Sequence, residues 1–286
     1  MKILVIAKDG MLGHVVYNYF KEQGHTVEGT SRREKNAFYL DMMENERALE
    51  NILDGFQPDV VVNCAGILNQ VAEENKPLAV KVNSYFPHYV DELSKQYGFK
   101  FIHVSTDCVF DGKKGAYSED SFKDAKSFYG QSKALGEINN DRNLTIRTSI
   151  IGPDMNSNGI GLFQWFMKQT GAVNGFSKVI WTGVTTIQLA KCIEEAINAN
   201  ITGLYHAVNG DTIDKYSLLN LFKTYFDKDI EINKDTTYVS DKTLVKEKHD
   251  FEFSIPTYED MIKDMYDWIM NHEELYPEMM KGRQKK

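Results

Sequence analysis

Short apolar, β-branched runs alternate with helix-period segments through the first half of this chain, and that alternation constrains the fold most. Lys2–Ala7 reads as a strand, and Met11–Gln23 as a helix with Leu12, Val15, Val16, Tyr19 and Phe20 on one face, closed by Gly24. His25–Thr30, a short piece at Phe38–Leu40, Asp59–Asn63 and Phe99–Ser105 are further strands. A helix around Ser127–Ile138 precedes a sixth long run, Leu144–Ile151. Strands separated by helices must pair in parallel through right-handed crossovers. The expected fold is α/β, a Rossmann-type doubly wound parallel sheet.

The rhythm changes after Gly152-Pro153. A polar loop, Asp154–Gly161, leads into helix Leu162–Gln169, extended pieces near Val173–Phe176 and Lys178–Trp181, and helix Thr185–Ala199. Gly203–Val208 reads as a strand that rejoins the main sheet. In Thr257–Asn271, Tyr258, Met261, Ile262, Met265, Trp268 and Ile269 form one stripe, the mark of a core-facing helix. At about 150 residues per domain, the 286 residues make roughly two domains or one large one. Residues 1–152 are the expected dinucleotide-binding unit and 153–286 mainly a smaller α/β substrate lobe, with the ligand cleft between them. No internal repeat or low-complexity segment interrupts this plan.

Composition narrows the function. With 42% hydrophobic and 12% aromatic residues the chain can build a core, which excludes general disorder. A net charge of −8 is the wrong sign for a nucleic-acid binder; the basic run Lys281–Lys286 reads as a solvated tail. Apolar runs are strand-sized, too short for a membrane helix, and Lys8 and Asp9 break the first one, so no signal peptide is expected. Cys64, Cys108 and Cys192 form no disulfide framework and no C-x-x-C pair. A cytoplasmic protein without a metal centre is expected.

Three groups of residues point to chemistry. The turn Ala7-Lys8-Asp9-Gly10-Met11-Leu12-Gly13 joins the first strand to the first helix, with Gly10 and Gly13 at the second and third positions of a G-x-x-G-x-x-G pattern. Glycines there let the backbone approach a pyrophosphate at the helix N-terminus; the plainer alternative is a tight βα turn. At the end of the second strand, where an NAD site typically carries Asp or Glu, stand Ser31, Arg32 and Arg33. Paired guanidiniums attract a 2′-phosphate, so NADPH is favoured over NADH unless both arginines are surface cations. Tyr129 and Lys133 lie one helical turn apart, so the ammonium is expected to lower the phenol's pKa for general acid–base work. By itself Y-x-x-x-K is more often a solvated helix face. Thr106, in Ser105-Thr106-Asp107 at a strand's C-terminal edge, would hold the same substrate oxygen.

Further stretches complete a pattern. Asn63-Cys64-Ala65-Gly66, Asn83, Val104-Ser105-Thr106-Asp107-Cys108-Val109-Phe110-Asp111-Gly112, Tyr117-Ser118-Glu119, Tyr129-Gly130 with Lys133, Gly136-Glu137, and Arg147-Thr148-Ser149 occur in the order of extended short-chain dehydrogenases/reductases. Within that superfamily the chain resembles the dTDP-4-dehydrorhamnose reductase family, most densely up to Gly152. The resemblance implies that Tyr129 donates a proton, Lys133 binds nicotinamide-ribose hydroxyls and Thr106 orients the substrate carbonyl. It also implies that Ala7, Gly10, Met11, Leu12, Ala65, Gly66 and Asn83 belong to the dinucleotide site and that Asp41 meets the adenine.

The implied reaction is NADPH-dependent reduction at C4 of a nucleotide-linked 4-keto-6-deoxy sugar, by a monomer or homodimer. Asp107, Cys108 and Trp181 are candidate substrate contacts. The chain departs from the pattern in three places. Ala7 replaces the first glycine, Val15 stands where some relatives carry a glutamate of a magnesium-linked dimer, and Cys108 follows Asp107 where dehydratases have glutamate. Epimerisation using Cys108 and a non-catalytic, dinucleotide-binding regulatory subunit are the competing readings.

Overall fold

A computed structural model describes residues 1–34, 36–45 and 47–280; the basic run Lys281–Lys286 lies outside the described residues. The central sheet contains β1 (Lys2–Ile6), β2 (Thr26–Ser31), β3 (Phe38–Tyr39), β4 (Val60–Asn63), β5 (Lys100–Thr106), β6 (Leu144–Thr148) and β7 (Gly203–His206). Its order is β7-β6-β5-β4-β1-β2-β3, all pairs parallel. Order reverses beside β1, so the crevice opens at the carboxyl ends of β1 and β4, where α/β sheets bind ligands.

The strand sequences are apolar throughout because both sheet faces are covered. Ile3, Val5, Val60, Val62, Ile102 and Val104 point to one face, and Leu4, Ile6, Val61 and Phe101 to the other. The first face packs on α1 (Gly13–Glu22), the second on α2 (Ala48–Phe56) and α3 (Phe86–Tyr97). Three further helices matter below: α4 (Phe128–Leu135), α5 (Thr186–Asn198) and α6 (Lys215–Tyr225); α7 (Tyr258–Asn271) carries the stripe read from the sequence. Ser127, Thr185, Asp214 and Thr257 cap α4 to α7 with side-chain acceptors.

The second half forms small sheets. Ala172–Phe176 pairs with Glu231–Asp235, while Val179–Trp181 lies between Ile213–Asp214 and Ser240–Asp241. Its apolar residues, among them Phe163, Phe166 and Phe222, join the cluster beneath α1, α5 and α7, so the two halves share one core.

Several boundaries differ from the sequence expectation. Helix α1 begins at Gly13 because Gly10 N–H closes a turn onto the Ala7 carbonyl (3.0 Å) and holds the preceding residues out of the helix. The run Leu144–Ile151 breaks at Ser149, whose carbonyl accepts from Val184 N–H (2.8 Å); Ile150–Ile151 pairs instead with Val184–Thr185. Helix α4 stops at Leu135, and at the next residue a Cβ on Gly136 would lie 1.9 Å from the Asn83 carbonyl oxygen, so only glycine permits that approach. Immediately before α3, Val80–Tyr85 winds as a π-turn, a local widening common near functional sites.

Candidate active site

The glycine turn is built by close approach. Ala7 takes the left-handed conformation (φ 60°), unusual for a residue with a Cβ. Its N–H donates to Thr30 Oγ1 (3.1 Å), tying β1 to β2. A Cβ on Gly13 would sit 2.1 Å from the Ala7 carbonyl oxygen, so only glycine lets α1 start there. His14 then clasps the turn. Its Nδ1 bonds the Gly10 carbonyl (2.9 Å) and its Nε2 the Tyr276 hydroxyl (2.8 Å), which also accepts from Trp268 Nε1 (3.0 Å). Burial pulls His14 down to about 4, so it is neutral: Nδ1–H donates and Nε2 accepts.

Two adjoining hollows open above the sheet. Ala7, Asp9, Gly10, Ser31, Arg32, Arg33, Asp41, Ala65, Gly66 and Asp154 line the outer one. Ser31 Oγ donates to Asp9 Oδ2 and accepts from the Arg33 and Glu34 amides (both 2.8 Å). Asp9 Oδ1 is buried without a hydrogen-bond partner. Arg32 lies 3.7 Å from Asp41, whose other oxygen accepts from the Met43 amide. At Gly66 a Cβ would meet nothing nearer than Asn83 Oδ1, 3.8 Å away, leaving an open floor.

The inner hollow is lined by Met11, Leu12, Thr106, Asp107, Cys108, Tyr129, Lys133 and Ile160, and shares Gly10, Cys64, Ala65, Gly66 and Asp154 with the outer one. Thr106 Oγ1 donates to Asp107 Oδ1 (3.1 Å) and accepts from the Cys108 amide (3.1 Å). Lys133 Nζ donates to the Val104 carbonyl (2.7 Å), with His103 Nε2 at 3.4 Å. Burial pulls the Lys133 ammonium down to about 8, against the opposing pull of Glu137 and Cys64.

The Tyr129 phenol corrects the expectation that Lys133 lowers its pKa. Burial raises it, with Cys108 and Asp107 acting in the same direction and the Thr106 hydroxyl only partly opposing them. The Lys133 ammonium is directed at Val104 instead. Tyr129 is therefore held as the protonated phenol, fit to give a proton rather than take one. Burial, then Asp107, pushes Cys108 up to about 11, although Lys242 Nζ stands 3.5 Å from its sulfur. A thiol in that state is a poor base.

Buried polar contacts hold these groups in place. Asn83, in the π-turn, bonds both the Ile67 amide (2.8 Å) and its carbonyl (2.9 Å), and donates to Ser132 Oγ (3.0 Å). It thus ties the Ala65–Ile67 loop to α4. A Cβ on Gly130 would lie 2.1 Å from the Cys108 carbonyl oxygen, so glycine beside Tyr129 lets α4 press against the Thr106–Cys108 turn. Glu137, just beyond α4, accepts from Arg147 Nε (2.8 Å) and Nη2 (2.7 Å) and from Ser105 Oγ (2.6 Å). Burial would raise its carboxyl, but the Arg147 contacts, Ser105 and Lys123 outweigh that and leave it below the usual range. Arg147 Nη1 meets His206 Nε2 (2.9 Å), drawing β7 into the same network.

Most residues singled out in the sequence line these hollows. Asn83 supports the site from behind. Trp181 is a core residue, 3% exposed, touching the Tyr258 hydroxyl through its carbonyl and lying beneath the Lys215 ammonium (4.6 Å from the ring centre). Sequence reading missed Asp9 and Asp154 as lining groups, and Lys215 and Lys242, whose charges bear on Asp107. The two lysines arrive from elements more than a hundred residues downstream, with no spacing to announce them.

Comparison with known proteins bears on the family and the fold. The family model described as the RmlD substrate binding domain matches residues 1–236. The probable low-salt glycan biosynthesis reductase Agl14 of Haloferax volcanii is 30% identical over 230 residues, covering 74% of this chain and 76% of its own. The methionine adenosyltransferase 2 subunit beta of Danio rerio is 33% identical over 139 residues, 48% of this chain and 42% of its own. In fold, the dTDP-4-dehydrorhamnose reductase of Bacillus anthracis str. Ames, solved in complex with NADP, superposes with a TM-score of 0.79 at 18% identity, covering 93% of this chain and 99% of its own. No described helix is long and apolar enough to cross a membrane. With the glycine turn, the Thr106/Tyr129/Lys133 cluster and a family match over most of its length, the chain belongs to the RmlD-type sugar-nucleotide reductase family of extended short-chain dehydrogenases/reductases.

Proposed function

We propose that the protein reduces the C4 keto group of a nucleotide-linked 4-keto-6-deoxy sugar with NADPH, in the cytoplasm, for surface-polysaccharide precursor synthesis. The observation that carries this reading is the continuity of the two hollows, which share Gly10, Ala65 and Gly66, with Thr106, Tyr129 and Lys133 on the inner one. The residues fit a dinucleotide: an open floor at Gly66, guanidiniums at Arg32 and Arg33, and the orphaned Asp9 oxygen that a ribose hydroxyl satisfies. The division of labour follows the chain, with residues 1–152 and β7 holding the dinucleotide and the remainder presenting the sugar.

Bound NADPH supplies the hydride for the ketone. Thr106, its hydroxyl proton turned from Asp107 to the substrate oxygen, hydrogen-bonds that oxygen, and Tyr129, kept protonated by burial, gives its proton as the oxygen gains charge. Lys133, its ammonium anchored by Val104, supports the ribose side of the site. Apolar Met11, Leu12 and Ile160 restrict water around the reacting carbon.

The likeness to the methionine adenosyltransferase subunit favours a second reading, a dinucleotide-binding regulatory subunit. One assay separates them: nicotinamide oxidation with dTDP- and UDP-linked 4-keto-6-deoxy sugars, for the parent and Tyr129→Phe. Ketone-dependent oxidation that falls at least about a hundredfold in the variant supports the reductase. Dinucleotide binding with no ketone reduced favours the regulatory reading, and absence of binding sinks both.

A further inference from the structure

We infer that Lys215 and Lys242 form an anion subsite on the substrate lobe: together they grip the diphosphate of the nucleotide-linked sugar and so orient the ring with its far end toward Tyr129. This rests on the reductase reading above and deepens it, by naming what holds the charged half of the substrate.

The two lysines come from separate parts of the chain to one small sheet. Ile213–Asp214 and Ser240–Asp241 flank Val179–Trp181, with Ile213 paired to Trp181 and Asp241 to Ile180. Lys215 directly follows the first of these edge strands, where α6 begins, and Lys242 directly follows the second. The Lys215 ammonium lies over the Trp181 ring, and Lys242 Nζ stands 3.5 Å from Cys108 Sγ. The backbone is pinned on both sides of Lys242. Asp241 N–H donates to the Gly112 carbonyl (2.8 Å), while Thr243 accepts from Ala116 N–H at its hydroxyl (2.7 Å) and from Tyr117 N–H at its carbonyl (2.8 Å). A fixed segment therefore presents this ammonium.

Among the described residues, neither ammonium has a carboxylate within ion-pair distance. Asp107 is the carboxylate whose charge bears on both, and its Oδ1 already accepts from the Thr106 hydroxyl. Burial pulls the Lys215 ammonium down to about 8 and pushes the Asp107 carboxyl up, so both charges are held at a cost. Two cations, one carboxylate and a neutral thiol leave a positive excess beside the reacting centre, which a bound anion relieves. A nucleotide-linked sugar carries its two phosphates at the end of the ring opposite the C4 oxygen. Cys108 acts on the Tyr129 phenol and lies against Lys242, so a ketone at Tyr129 and an anion at the lysines can belong to one molecule. The phosphates of the dinucleotide belong to the glycine turn, which leaves the substrate's own for these lysines.

The test is calorimetric binding of dTDP and UDP, which needs no turnover, with NADPH as the control ligand. Lys215→Gln and Lys242→Gln should each weaken the nucleoside diphosphates about tenfold, with NADPH affinity and Tm unchanged. Lys242→Arg keeps the charge and should stay within about threefold of the parent. With the ketone substrate, the glutamine variants should raise KM about tenfold and leave kcat within about threefold. Unchanged dTDP and UDP affinities in both glutamine variants overturn the inference while leaving the proposed function standing. So does a loss of affinity that comes with a fall in Tm, both restored by Asp107→Asn, since the lysines then serve only to neutralise that carboxylate. A parent that binds dTDP or UDP through these lysines but reduces no ketone removes the proposed function and keeps the subsite. A parent that binds neither overturns the subsite, and ketone-dependent NADPH oxidation in the same sample then decides the function.

Discussion

Replacing Glu137 by glutamine tests whether one buried carboxylate holds the end of α4, the helix that carries Tyr129 and Lys133, to the sheet. Both Glu137 and Arg147 side chains are 1% exposed, and Glu137 receives two guanidinium bonds, one from Ser105 and the Lys123 ammonium at 3.1 Å. Glutamine keeps one acceptor and turns an amide donor toward Arg147 or Lys123. The Arg147 charge is then buried without its counter-ion, a change that costs about 3–5 kcal/mol. With a urea slope of about 2–3 kcal/mol per molar, the unfolding midpoint should fall by roughly 1–2 M. The assay is a urea titration followed by tryptophan fluorescence. Removing both charges together, Glu137→Leu with Arg147→Met, should recover much of the loss, because no orphan charge remains. A single-variant shift below about 1 kcal/mol, or a double variant worse than the single, would refute the claim that charge compensation fixes this contact.

Two further outcomes follow from the turn and the histidines. Ala7→Gly removes a left-handed conformation costing about 1–2 kcal/mol but returns unfolded-state entropy, so a net gain of about 0.5–1 kcal/mol is expected, read as a Tm rise of about 2–3 °C; a fall in Tm contradicts it. His14 is lowered to about 4, and His103 and His206 are lowered too, in each case first by burial. Because the folded values lie below the unfolded value near 6.5, stability is complete above that pH and is lost as pH falls toward 4. At pH 5 the loss should reach about 2 kcal/mol for His14 alone, so a Tm unchanged between pH 7.5 and 5 would tell against neutral buried histidines.

The parallel sheet was legible because burial on both faces writes continuous apolar runs into the chain, and Ile3–Ile6 and Val60–Val62 are such runs. The break at Ser149 was not, since it depends on Val184, a partner with no local signature. The same split governs the site. Gly13, Thr106, Tyr129 and Lys133 stand in local patterns whose geometry follows from strand ends and helical spacing. The direction of the Lys133 ammonium depends on β5, and the orphaned Asp9 oxygen on how Ser31 is used, so neither could be read from spacing. Trp181 is a candidate contact by sequence because an aromatic ring suits a ligand face or a core equally; its place beneath Lys215 is decided by the packing of α6.

The His14–Tyr276 clasp joins residues 262 positions apart, and this has a consequence for how the protein is born. The ribosome delivers the glycine turn before its fastener, an interval of roughly 10–50 s at ordinary elongation rates. Through that interval the nascent chain carries β1 and α1 without the ring that fixes His14, and without the edge strand β7 for most of it. The clasp on the glycine turn therefore closes only once Tyr276 has been made, and a chain cut short before Tyr276 carries the turn but not its fastener.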